Sequence, residues 1–186
     1  MSRIPRKALN FWPLLPAFLL ADCTSKHLAE EHLSPPGTPH EVLGDVVRFT
    51  LVYNDGAALG INPGQGGIKV LVFISIIMVI GLGFFYKALP AAASTEAIAV
   101  ALVAAGAIGN LLDRVVSDQG VVDFIDVGVG TVRFWTFNVA DIGITLGALL
   151  LAWGFWRRPE RMPGSRREPN GSVVTKQTDW QFNRVP

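Results

Sequence analysis

The chain of 186 residues has one cysteine, Cys23, and only 17% of its residues are charged. A lone cysteine excludes a disulfide framework and a Cys-based metal site. No H-E-x-x-H or comparable ligand spacing occurs, so the sequence calls for no metal and no cofactor. The three histidines, His27, His32 and His40, all fall in or near the first loop, and no Ser/His/Asp or Cys/His set converges. The two halves of the chain show no internal repeat. A net charge of +1 says nothing about partners and gives no reason to expect nucleic acid. What the chain has in quantity is apolar surface: half of its residues are hydrophobic and mean hydropathy is +0.38. That excludes an ordinary soluble domain of this size and points to a membrane protein.

A bilayer crossing takes about 20 mostly apolar residues. Four segments qualify, at about 8–28, 68–87, 91–112 and 137–156. The first is the weakest, with Pro13 and Pro16 early and Asp22 near its end. The stretch from Val47 to Tyr53 alternates as a strand and breaks at the turn signal Asn54-Asp55-Gly56. The expected fold is an all-α membrane protein: four transmembrane helices, a small extracytoplasmic β-sheet, and a second extracytoplasmic loop at about 113–136. Residues 1–157 form the membrane domain, and 158–186 a flexible cytoplasmic tail. Basic residues set the orientation. Arg3, Arg6 and Lys7 precede the first span, Lys87 lies in the short loop, and Arg157, Arg158, Arg161, Arg166 and Arg167 follow the last span. Both termini are then cytoplasmic. The N-terminus imitates a lipoprotein signal ending at Cys23, but Asp22 occupies the position where a small residue is needed, so the first span is expected to remain.

The polar residues of the spans gather at the outer ends. Asp22 and Lys26 are four apart on one face of the first helix. Gly106, Asn110 and Arg114 form an i, i+4, i+8 stripe, with Gly109 and Asp113 beside it. Asn138, Asp141 and Thr145 follow i, i+3, i+7. These residues read either as interfacial caps and salt bridges, Asp22–Lys26 and Asp113–Arg114 above all, or as one polar site shared by several helix ends. Asp123 and Asp126 lie among apolar residues just before the last span. Two half-buried carboxylates cannot both ionise easily: one holds a proton while the other stays charged, the chemistry of aspartic peptidases. The pair here would be Asp123 and Asp141. A proton-coupled small transporter and a membrane scaffold are the rival classes, since intramembrane acids also mark ion paths.

Five motifs carry a resemblance: "DCTSK" (22–26), "NDGAALG" (54–60), "GAIGNLLDR" (106–114), "VVDFIDV" (121–127) and "FNVAD" (137–141). In this order and spacing they resemble the motif series of lipoprotein signal peptidase, signal peptidase II, over about residues 8–157. Leu59 stands where an aromatic is common, and Cys23 where many members have a polar residue. The resemblance implies an intramembrane aspartic endopeptidase of the bacterial inner membrane, acting on its extracytoplasmic side. It would remove signal peptides from prolipoproteins bearing a diacylglyceryl-cysteine, cutting just before that cysteine. Asp123 and Asp141 match the catalytic pair. Asn54, Asn110, Arg114 and Asn138 match residues lining the site, and Asp22, Lys26 and Gly106 match supporting positions. The implied partners are the prolipoproteins and membrane lipid, and the expected state is a monomer.

Overall fold

The computed structural model describes residues 4–56 and 67–157, and the backbone of two short segments, 165–167 and 173–175. Four helices, α1 (Arg6–His32), α2 (Gly67–Ala88), α3 (Ser94–Val116) and α4 (Val139–Trp156), accompany strands β1 (Pro39–Leu43), β2 (Val47–Asn54), β3 (Val121–Val129) and β4 (Val132–Arg133). Strands β5 (Ser165–Arg167) and β6 (Val173–Thr175) pair antiparallel in a separate unit. Among the described residues α2, α3 and α4 are long and apolar enough to cross a membrane. The first expected segment folds as a helix, but Asn10, Pro13, Pro16 and Asp22 interrupt its apolar run and it falls short of that standard.

Helix α3 is the centre of the bundle. It is rich in alanine, and twelve of its residues are buried. Small residues let the other helices approach its backbone. A Cβ at Gly106 would strike the carbonyl of Ala140 and the side chain of Ile144, and one at Gly147 would strike the carbonyl of Ala99. These glycines therefore fix how closely α4 lies on α3. At the end opposite the site, Phe11 stacks on Tyr86 with ring centroids 4.0 Å apart. Lys7 donates to the carbonyls of Tyr86, Lys87 and Leu89, groups left free by the end of α2.

The sheet is antiparallel in the order β1-β2-β3-β4. The strand expected at Val47–Tyr53 is present as β2. The segment expected as a loop supplies the inner strand β3. Its residues from Val121 to Phe124 are all buried, so the run lacks the alternation that marks a strand with one wet face. Helix α1 runs four residues past its expected end. Ala29 and Leu33 there pack with Leu51, Val122 and Phe124 in a second core that joins helix to sheet. Asp126, which the sequence sets beside Asp123 among apolar residues, is buried and bonded by Arg48, Arg133 and Thr50, which ties β2, β3 and β4 together. Burial alone would raise its carboxyl pKa, but the bonds from Arg133, Arg48 and Thr50 outweigh burial and hold it below the usual range.

Candidate active site

Four elements bring their ends together. Gly120, at φ 91°, turns the chain from α3 into β3, and a Cβ there would strike the carbonyl of Asn54. That turn sets the start of β3 against the end of β2, and Val52 then pairs with Asp123. A bulge between Phe49 and Val52 lies beside this pair and resets which face each side chain takes. Asp123 is 2% exposed. It accepts from Asn54 Nδ2 at 2.9 Å and from Asn138 Nδ2 at 2.6 Å.

Asn138 immediately precedes α4. Its Oδ1 accepts the backbone N–H of Asp141 at 3.0 Å, and Asp141 Oδ2 accepts the backbone N–H of Asn138 at 3.3 Å. This reciprocal pair is a capping box, with an acid at the end of the helix that favours negative charge. Asn110 Nδ2 donates to Asp141 Oδ1 at 2.9 Å. One amide, Asn138, thus touches both acids, and the two carboxylates border a single cavity of about 670 Å³. Its lining includes the polar Asn54, Arg114, Asp123 and Asp141 and the apolar Leu71, Ile74, Met78 and Ile144.

The remaining expected residues fall around this core. Asp22 is fully buried, accepts the N–H of Ala140 at 2.7 Å and pairs with Lys26 at 2.9 Å. Gly109 of α3 leaves room for that carboxylate, because a Cβ there would strike Asp22. Lys26 also bonds Asn110 Oδ1 at 2.9 Å and pairs with Asp113 at 2.8 Å. The pairing of Asp113 with Arg114, one of the two readings the sequence left open, does not form; Asp113 turns instead to Lys26 and to the N–H of Val122. Arg114 donates to the carbonyls of Asn110 and Gly56, and among the described residues its buried Nε has no hydrogen-bond partner. Gly106 carries no polar group into the site; it packs beneath Ala140. Sequence reasoning gave Asp113 no role at the site. Its position three residues after Asn110, on the same helix face, was the available signal. Leu59 lies outside the described residues.

Asp123 lies outside the spanning helices, and burial raises its carboxyl pKa from 3.8 to about 6. The bond from Asn54 opposes that rise, the charge of Asp141 adds to it, and Asn138 and Lys26 oppose it. Near pH 6 the Asp123 carboxyl is half protonated, so it can both hold and release a proton close to neutral pH.

Known proteins resemble this chain in sequence and in fold. A family model described as signal peptidase (SPase) II matches residues 14–157. A lipoprotein signal peptidase of Hydrogenovibrio crunogenus is 35% identical over 86% of this chain and 92% of its own. One of Mycobacterium avium is 34% identical over 81% of this chain and 80% of its own. Among solved structures, a bacterial membrane enzyme determined by the in meso method at 2.3 Å resolution superposes with a TM-score of 0.70 and 28% identity, covering 80% of this chain and 91% of that one. A second, at 1.9 Å resolution, gives 0.68 and 30%, covering 78% and 92%.

Proposed function

Because the chain belongs to the signal peptidase II family, a family of peptidases that remove lipoprotein signal peptides, we propose that it is an aspartic endopeptidase working through Asp123 and Asp141. Its substrates are prolipoproteins carrying a diacylglyceryl-cysteine, and it cuts before that residue. The observation that carries the reading is the pair of carboxylates on one cavity, joined through Asn138.

In this mechanism Asp141 is ionised and takes a proton from water as the water oxygen attacks the scissile carbonyl carbon. Asp123 reacts in its protonated form, a minority at neutral pH that its pKa of about 6 keeps accessible, and gives its proton to the developing oxyanion. Collapse of the tetrahedral intermediate breaks the C–N bond. The proton gathered by Asp141 passes to the leaving amine, and the oxyanion returns its own to Asp123. Arg114 is placed to hold a substrate carbonyl or the lipid-linked backbone through charge-assisted bonds. The apolar lining from α2 and α4 suits a signal peptide that arrives as a membrane helix, and the polar lining receives its end.

The charge pattern supports a multi-pass protein of the bacterial inner membrane with α1 as a fourth span, both ends of the 1–157 domain and the tail at 158–186 in the cytoplasm, and the sheet outside. We read it as acting as a monomer. The test is cleavage of a diacylglyceryl-modified prolipoprotein by the purified protein in detergent. Asp123→Asn and Asp141→Asn should each abolish most turnover while leaving a folded protein, and the double variant should be little worse than either. Cleavage at the parent rate by Asp141→Asn would refute the mechanism.

A further inference from the structure

Behind the two acids lies a third charged group that touches neither. Lys26 is 3% exposed, and three oxygens lie within 3 Å of its ammonium: Asn110 Oδ1 at 2.9 Å, Asp22 Oδ2 at 2.9 Å and Asp113 Oδ2 at 2.8 Å. The Asn110 contact is a hydrogen bond and the two carboxylates are ion pairs, so the ammonium, which can only donate, is held by one directional bond and two charges.

Each contact continues to the dyad. Asp22 accepts the N–H of Ala140, the residue before Asp141. Asp113 accepts the N–H of Val122, the residue before Asp123. Asn110 donates to Asp141 itself. The third arm also has a direction. Because Lys26 only donates, the carbonyl end of the Asn110 amide must face it, and the NH₂ end must then face Asp141. A flipped Asn110 would set its NH₂ against the ammonium and its carbonyl oxygen against a carboxylate. Asn138 Nδ2, which also donates to Asn110 Oδ1, favours the same orientation.

We propose that Lys26 is the positioning residue of the dyad: through Asn110, Asp22 and Asp113 it holds Asp141 and the start of β3, and with it Asp123, in reacting register. This rests on the aspartic peptidase reading and goes beyond it by assigning the control of dyad geometry to a buried lysine that never meets substrate. A purely structural lysine would serve only to balance the buried Asp22 and the part-exposed Asp113. The two roles are separable because neutrality can be kept while the directional bond is lost.

The experiment uses the full chain in detergent with modified prolipoprotein. Lys26→Met/Asp113→Asn removes one charge of each sign and keeps the cluster's net charge. Asn110→Leu keeps the ammonium with both acids and removes only the arm to Asp141. We expect each to lower kcat by at least about tenfold, and the balanced variant, whose two residues do not line the cavity, to keep KM within about twofold. Combining them should cost little more than either alone, because both break one chain of contacts. Parent kcat in the charge-balanced variant, or losses that multiply in the combination, would overturn the proposal. Asn110→Leu alone decides the matter if the balanced variant fails to fold, because an unchanged kcat there removes the directional arm. Absence of cleavage by the parent protein would instead count against the peptidase reading itself.

Discussion

Replacing Asp123 by asparagine should change the pH dependence of stability as well as abolish activity. Burial is the main reason the Asp123 carboxyl titrates at about 6 instead of 3.8. An acid whose pKa is raised by folding costs no stability below the unfolded value. The cost grows as pH rises from 3.8 to about 6 and is complete above that. The displacement corresponds to about 3 kcal/mol at neutral pH. Asparagine never ionises and escapes this cost. Its own NH₂ must however face a donor, since both oxygens of Asp123 accept from asparagine amides. That conflict costs about 1–3 kcal/mol at every pH. The two terms nearly cancel at neutral pH, so a single melting temperature there decides nothing. Their difference in pH dependence does. Measured by thermal unfolding in detergent, the stability of Asp123→Asn relative to the parent should rise by about 3 kcal/mol between roughly pH 3 and pH 8. For a chain of this length that is roughly 6–12 °C in Tm. Two unfolding curves that keep a constant separation across that range would refute a raised pKa at Asp123.

Asp126→Asn should destabilise the protein by about 3 kcal/mol, because it leaves Arg48 and Arg133 with only the more exposed Asp45 to share; Asp118→Asn, on an exposed turn, should change neither stability nor cleavage. Gly106→Ala should cost about 1–3 kcal/mol or more in unfolding assays, since the added methyl meets a backbone carbonyl of α4 that cannot rotate away. Arg114→Lys should lower kcat/KM by about tenfold or more with little change in Tm, because one ammonium cannot reproduce the fork that reaches both Asn110 and Gly56. Equal cleavage by the Arg114→Lys protein would remove the guanidinium from the site.

The parts of the fold written in local pattern were legible. The apolar runs of α2, α3 and α4 and the alternation of β2 are properties of consecutive residues, and the structure has them where the pattern places them. Elements that depend on tertiary burial were not. Strand β3 is covered on both faces, so Val121–Val129 carries no period, and the last turn of α1 exists because Ala29 and Leu33 find partners in the sheet. The same division runs through the site. Spacing alone put Asp22 with Lys26, and Asn138 with Asp141. The pairing of Asp113 with Lys26 joins residues 87 apart in sequence, which spacing does not encode. Asp126 looked like a sibling of Asp123 in a loop. Only the register of β2 against β3 shows that one is pinned between arginines and the other borders the cavity.

An acid placed at the centre of an apolar helix costs about 2.5–3.5 kcal/mol on insertion scales. Asp141 avoids much of that cost by its place in the first turn of α4. There it returns a hydrogen bond to Asn138 and meets the positive end of the helix. This dual role decides which substitution can test it. Asp141→Ala would remove the cap as well as the carboxylate, so lost cleavage would have two causes, one of them worth about 1 kcal/mol of helix stability. Asp141→Asn keeps an oxygen that can accept from Asn110 or from the Asn138 N–H, gives up one of those two bonds, and loses the charge and the capacity to take a proton. The placement also separates a hydrolase from a carrier. A proton-coupled transporter uses acids near the midplane, reached alternately from two sides. Here Asp123 lies on a strand and Asp141 at a helix end, with asparagine amides donating to both and one cavity before them. That arrangement suits the proposed hydrolysis, which needs a water, a proton to pass between two acids, and a peptide bond brought before both.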